Sequence, residues 1–169
     1  MTGTGPTSAF VGWRGHAFLA LPMRLYLGWV FITACLHKIV SPASFAVDVA
    51  TYQLLPLWAT NFFALTLPWV ELFAGVLLVV GLRARAAALL IALMMLSFMV
   101  ALGHALHLGL DMACGCFASA AAVDEDPISW RTVVRDAGWL LLALYVLTLD
   151  RAPLGLDRWL AKKGAVTHA

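Results

Sequence analysis

Apolar residues run along this chain in four long blocks, at residues 18–40, 62–82, 84–106 and 127–149. As a helix, about 20 residues cross the hydrocarbon core of a bilayer, so each block is long enough to span one. The fourth is the least apolar and carries Arg131, Arg135 and Asp136 in its first half. Asp126-Pro127 offers an N-cap acceptor followed by a proline at the first helical position, which predicts a helix start there. The short turn Gly81-Leu82-Arg83-Ala84-Arg85 makes the second and third helices an antiparallel hairpin. Between the first and second blocks, Ser41-Pro42 opens a shorter pattern in which Phe45, Val49 and Tyr52 share one face, and Leu55-Pro56 closes it. That pattern predicts an amphipathic helix on the membrane surface. The expected fold is therefore an all-α integral membrane protein. A four-helix transmembrane bundle (18–149), with a short interfacial helix after helix one, lies between an N-terminal tail (1–17) and a C-terminal tail (150–169).

Composition agrees. The chain is 63% hydrophobic and only 12% charged, with a mean hydropathy of +0.90, whereas soluble domains carry about a quarter charged residues. A net charge of +2, spread thinly, gives no electrostatic case for nucleic-acid binding. No Walker or Rossmann glycine pattern is present. Basic residues in short loops set orientation. Arg14, Arg83, Arg85, Arg151, Arg158, Lys162 and Lys163 share one side if both termini do, while the 108–126 loop has no Lys or Arg and four acids. The expectation is a bacterial inner-membrane protein with both termini cytoplasmic and that loop periplasmic. The N-terminus lacks the pattern of a cleaved signal peptide, so the first helix is expected to direct insertion.

The loop holds the tripeptide Cys114-Gly115-Cys116. Disulfides persist in the oxidising periplasm. A ring closed by residues one apart departs from relaxed disulfide geometry, and strained, exposed disulfides are the labile, catalytic ones. The pair is thus a poor staple and a candidate redox couple. Cys35, near the end of helix one and on the same expected membrane face, is either a small buried hydrophobe or a third thiol that resolves a mixed disulfide. A metal site is the alternative use of the pair. His104 and His107 stand one turn apart just before it, and soft sulfur with imidazole suits copper or zinc, although C-x-C is not the usual C-x-x-C zinc spacing.

Charges inside the apolar blocks form the second constellation. Arg24, Gly28, Phe31, Cys35 and Lys38 recur at steps of four and three, one stripe of a helix. Glu71 lies deep in the second block, with Gly75 one turn on. An acid at such depth costs about 2.5–3.5 kcal/mol on insertion scales and needs a partner, for which Arg24 and Lys38 both qualify. The result is either an ion pair that fixes packing or a polar site for a proton or a quinone headgroup. Gly28 and Gly75 would let the helices approach closely. Arg131 and Arg135, near the cysteine loop, either lower a thiol pKa or snorkel to lipid phosphates, with Asp136 able to balance one of them.

Taken together, Arg24-x-x-x-Gly28, Lys38, Tyr52-x-Leu54-Leu55-Pro56, Leu67-Pro68-Trp69-x-Glu71-x-x-x-Gly75 and Asp111-x-x-Cys114-Gly115-Cys116-Phe117 resemble the DoxX-like superfamily, and within it the MauE-like branch. The resemblance covers roughly residues 21–149. It implies a four-helix membrane protein linked to maturation of methylamine dehydrogenase in methylamine metabolism. It also implies passage of redox equivalents to or from a periplasmic thioredoxin-fold partner. Under it, Cys114 and Cys116 become the redox pair, and Arg24, Lys38 and Glu71 the polar helix positions. Ala118 stands where such proteins usually carry glycine. A non-catalytic subunit that anchors a larger membrane complex is the rival expectation, and copper or zinc handling the third.

Overall fold

The computed structural model describes residues 16–110, 112 and 128–150. These form five helices: α1 (His16–Val40), α2 (Pro42–Thr51), α3 (Leu57–Val80), α4 (Ala84–Leu108) and α5 (Trp130–Leu149), with no strand among the described residues. Helices α1, α3, α4 and α5 are each long and apolar enough to cross a membrane. The protein is a four-helix membrane bundle, as the hydropathy pattern predicts. Its termini at 1–15 and 151–169, and the cysteine loop at 113–127, lie outside the described residues.

The four spans pack in a closed ring. Helix α1 lies on α3, α3 on α4, α4 on α5 and α5 on α1, with α1–α3 and α4–α5 the most extensive contacts. Leu27, Phe31, Leu78, Ile91 and Val146 meet at the centre, filled in by Ala74, Ala88 and Ala143. Outward positions are apolar too: Trp29, Phe73, Leu93 and Leu141 are each more than half exposed. A water-soluble bundle puts polar residues on its outer faces, so this surface is built for lipid.

Glycine sets a close contact between α1 and α3. A Cβ added at Gly28 would lie 2.6 Å from Val79 Cγ2 and 2.9 Å from the Gly75 carbonyl oxygen. One added at Gly75 would lie 2.9 Å from Ile32 Cγ1 and 3.1 Å from the Gly28 oxygen. The two backbones touch because neither residue has a side chain. At the other end of α3, Gly81 takes φ 74°, and both Gly81 and Leu82 donate N–H to the Leu77 carbonyl, at 3.0 and 3.1 Å. This left-handed cap turns the chain sharply into α4.

Two helix starts differ from the hydropathy expectation. Helix α3 begins at Leu57, five residues early, because the polar Thr60 and Asn61 interrupt the apolar run without interrupting the helix. Pro56 opens it, accepting the N–H groups of Ala59 and Thr60 at 2.9 and 3.0 Å, and buried Thr60 returns its hydroxyl to the same carbonyl at 3.3 Å. Helix α5 begins at Trp130 rather than at Asp126-Pro127. Ser129 is its N-cap, and the Ser129 N–H donates to Thr132 Oγ1 at 3.3 Å, a capping pair that begins two residues beyond the proline.

Helix α2 is present as predicted, opened by Ser41 with Pro42 at the first position. Its apolar face turns onto protein: Phe45, Asp48 and Tyr52 are buried while Val47 on the opposite side is 57% exposed. The helix packs on α3 and α1 and so closes one end of the bundle.

The glycine contact generates a prediction. Gly75→Leu should force α1 and α3 apart and cost about 1–3 kcal/mol, the range for overpacking. Gly138→Ala, with nothing within 4 Å of its added Cβ, should be near neutral. Thermal unfolding of both variants in detergent checks the contrast, and equal behaviour would refute the close-contact account.

Candidate functional site

Side chains on a helix lean toward its N-terminus. Lys38, in the last turn of α1, therefore reaches back into the bundle rather than out of it. Glu71 lies fourteen residues into α3, about 21 Å along it at 1.5 Å per residue. The Gly28–Gly75 contact holds the two helices close enough for the charges to meet. Lys38 Nζ donates to Glu71 Oε1 and Oε2, both at 2.9 Å. The two side chains are 7% and 10% exposed. The ammonium also stands 5.0 Å from the centroid of the Phe45 ring, a cation–π contact contributed by α2. Of the two cations that qualified on sequence, Lys38 is the partner of Glu71.

Arg24 is used elsewhere. Its Nη1 lies 3.6 Å from Asp150 Oδ2, with side chains 2% and 1% exposed. This pair joins α1 to the end of α5. Asp150, the first residue of the expected C-terminal tail, is thus buried with the bundle. Arg135 also finds an acid: its Nε donates to Asp136 Oδ1 at 3.1 Å, and its guanidinium stacks 5.0 Å from the Trp139 ring. Asp136 is fully buried. Arg131 is exposed on the first turn of α5.

The Lys38–Glu71 pair faces a cavity of about 450 Å³ lined by residues of all five helices. Its walls are mainly apolar, with Phe31, Phe45, Leu67, Met95, Phe98 and Trp139 among them. Four lysine or acidic side chains line it: Lys38, Glu71, Asp48 and Asp136. Asp48 and Asp150 escaped the sequence reasoning. For Asp48 the signal was available, because an acid three residues after Phe45 and four before Tyr52 falls on the inward face of α2. Nothing comparable marked Asp150, which follows the last apolar residue of a block whose far partner is in helix one.

Cys35 is completely buried, and its thiol donates to the Ile32 carbonyl at 3.0 Å. It lies one turn before Lys38 on α1 but is not among the residues that line the cavity. His104 is half-buried and His107 exposed, both on the last turns of α4. Among the described residues no three His, Cys, Asp or Glu side chains gather as metal ligands would. Cys114 and Cys116 lie outside the described residues, but both ends of their loop are placed. Met112 and Ile128 are joined by an N–H···O bond of 3.1 Å from Ile128 to Met112. Met112 is buried against Tyr52 and Ala105. Tyr52, Phe98 and Ala101 belong both to this cluster and to the cavity wall.

Removing one member of the central ion pair leaves the other charge buried and alone, which costs about 3–5 kcal/mol. Glu71→Leu should therefore destabilise strongly, and Lys38→Met likewise. The double variant Lys38→Met/Glu71→Leu should recover most of the loss. Thermal denaturation of the three purified variants measures the coupling, and simple additivity would exclude it.

Comparison with known proteins agrees with this architecture. The family described as methylamine utilisation protein MauE matches residues 16–149. The chain is 34% identical over 137 residues to the methylamine utilization protein MauE of Paracoccus denitrificans, covering 78% of this chain and 72% of the relative. It is 33% identical over 133 residues to that of Methylorubrum extorquens, covering 75% and 70%. No solved structure matches it. With the family match running from the start of α1 to the last residue of α5, this chain belongs to the MauE family of methylamine utilisation proteins.

Proposed function

We propose that the chain is a membrane accessory protein of methylamine utilisation that exchanges thiols and disulfides with a partner through Cys114 and Cys116. The names of its relatives support the first half. The observation that carries the second is the seating of the loop ends. Met112 is packed on Tyr52 and Ala105 and bonded to Ile128 at the end of the bundle that α2 closes. Cys114 follows Met112 by two residues in the sequence. The two sulfurs serve the compartment at that end.

The hairpin turn with Arg83 and Arg85 sits at the opposite end, because α4 connects the two. Basic loops stay cytoplasmic. In this proposal both termini face the cytoplasm, the membrane is the bacterial inner one, and the cysteines meet the oxidising periplasm. The exchange moves two electrons and two protons between the Cys114/Cys116 couple and the dithiol or disulfide of a periplasmic thioredoxin-fold protein. One side gains the disulfide that the other loses. Kinship with the wider DoxX-like superfamily belongs to the same proposal. Cys35, buried and bonded to its own helix, is withheld from any aqueous partner and is reachable only from within the bundle.

Cys114→Ser and Cys116→Ser should each abolish mixed disulfides with the partner while leaving membrane insertion intact. Gel-shift alkylation of the partner in cells carrying each variant reads the outcome, and an unchanged partner redox state in both would overturn the proposal. An impermeant maleimide added to intact cells after mild reduction should label Cys114 and Cys116 and spare Cys35. Labelling only after the membrane is breached would reverse the topology.

A further inference from the structure

The cavity has features that packing alone does not explain. Its volume of about 450 Å³ falls within the range of small-molecule sites, roughly 300–1,000 Å³. Its wall is rich in flat aromatic surface, including Phe31, Phe45, Phe98 and Trp139. Its polar content is concentrated in ionisable groups rather than scattered. Lys38 carries three donors and gives two hydrogen bonds to Glu71, so one N–H remains for another acceptor. Asp48, Asp136 and Glu71 all present carboxyl groups to the same space.

One way in is from lipid. Phe63 on α3 and Leu93 on α4 both line the cavity and are 42% and 53% exposed on the outside of the bundle. Both lie within membrane-spanning helices, so the mouth between α3 and α4 faces hydrocarbon. Leu54 and Leu55, in the connection between α2 and α3, also line the cavity and are 44% and 37% exposed at the end of the spans. A bare acyl chain fits the walls but leaves a buried ion pair facing hydrocarbon, where unsatisfied polar groups are costly. An occupant that enters between α3 and α4 must be membrane-soluble, carry a flat ring, and place a hydrogen-bonding oxygen at the ring's edge.

We propose that this cavity binds the ring of a lipid-borne quinone or quinol. A ring oxygen engages the Lys38–Glu71 pair, the ring lies among the aromatic side chains, and the isoprenoid tail leaves between α3 and α4. A quinone carbonyl accepts from the Lys38 ammonium, and a quinol hydroxyl donates to a carboxylate. Binding needs neither Cys114 nor Cys116, so this inference and the thiol-exchange proposal stand or fall separately.

The test uses the full-length protein in lipid nanodiscs and follows tryptophan fluorescence, to which Trp139 in the cavity wall contributes. Decylubiquinone and a short-chain naphthoquinone analogue are titrated separately, and the tighter binder identifies the ring class. Saturable quenching is expected for at least one of them. Lys38→Met/Glu71→Leu should bind roughly tenfold more weakly, the worth of about one hydrogen bond. Ala101→Phe should fill the cavity and abolish saturable quenching, and Ser97→Phe at another lining position replaces it if that variant does not fold. Absence of saturable quenching with both probes would overturn the inference. So would equal displacement by n-decanol, which has a tail but no ring, or unchanged affinity in the filled variant.

Discussion

The central ion pair of this bundle depends on two helices touching at backbone distance. Gly28 and Gly75 remove the side-chain layer between α1 and α3. In lipid the hydrophobic effect gives helices no reason to associate, so close van der Waals contact supplies much of the attraction. The contact also fixes register. With Gly28 against Gly75, Lys38 falls one reach away from Glu71, and a lysine directed inward ends on an acid at 2.9 Å. A shift of one turn along either helix would move the ammonium about 5.4 Å and strand two charges in hydrocarbon.

The bundle then assigns its charges by position. Arg24 and Lys38 lie on one stripe of α1, yet they take acids from different helices at different levels: Asp150 at the end of α5 and Glu71 within α3. Each of these two cations meets a different acid. Between them the bundle is packed with alanine, leucine and isoleucine. On the side that α2 closes, it opens into the cavity. Phe45 has a part in both features, covering the Lys38 ammonium with its ring and forming part of the cavity wall.

Much of this was legible in the sequence. Four apolar blocks name four spans because a bilayer leaves few alternatives to a helix of that length. Glu71 demanded a partner for the same reason, and Gly28 and Gly75, each one turn after a charge (Arg24 and Glu71), marked the contact. Which cation answered could not be read, because Arg24 and Lys38 share a helix face and only the register of α1 against α3 separates them. The cavity was invisible for a related reason: its wall draws on all five helices. Helix ends were misjudged where a polar residue satisfied itself locally, as Thr60 does on Pro56, since hydropathy counts the hydroxyl and ignores its bond. The burial of the α2 inner face was half legible. The periodicity exposed a stripe, but a stripe facing lipid and a stripe facing protein look alike.

The Arg24–Asp150 pair has a consequence for biogenesis. The arginine belongs to α1 and its acid follows α5, so the acid is synthesised three spans after the helix that needs it. Until translation reaches that aspartate, α1 carries an unmatched cation that disfavours its settling deep in the bilayer. Synthesis of the segment after α5 and the charge pairing of α1 are thereby coupled.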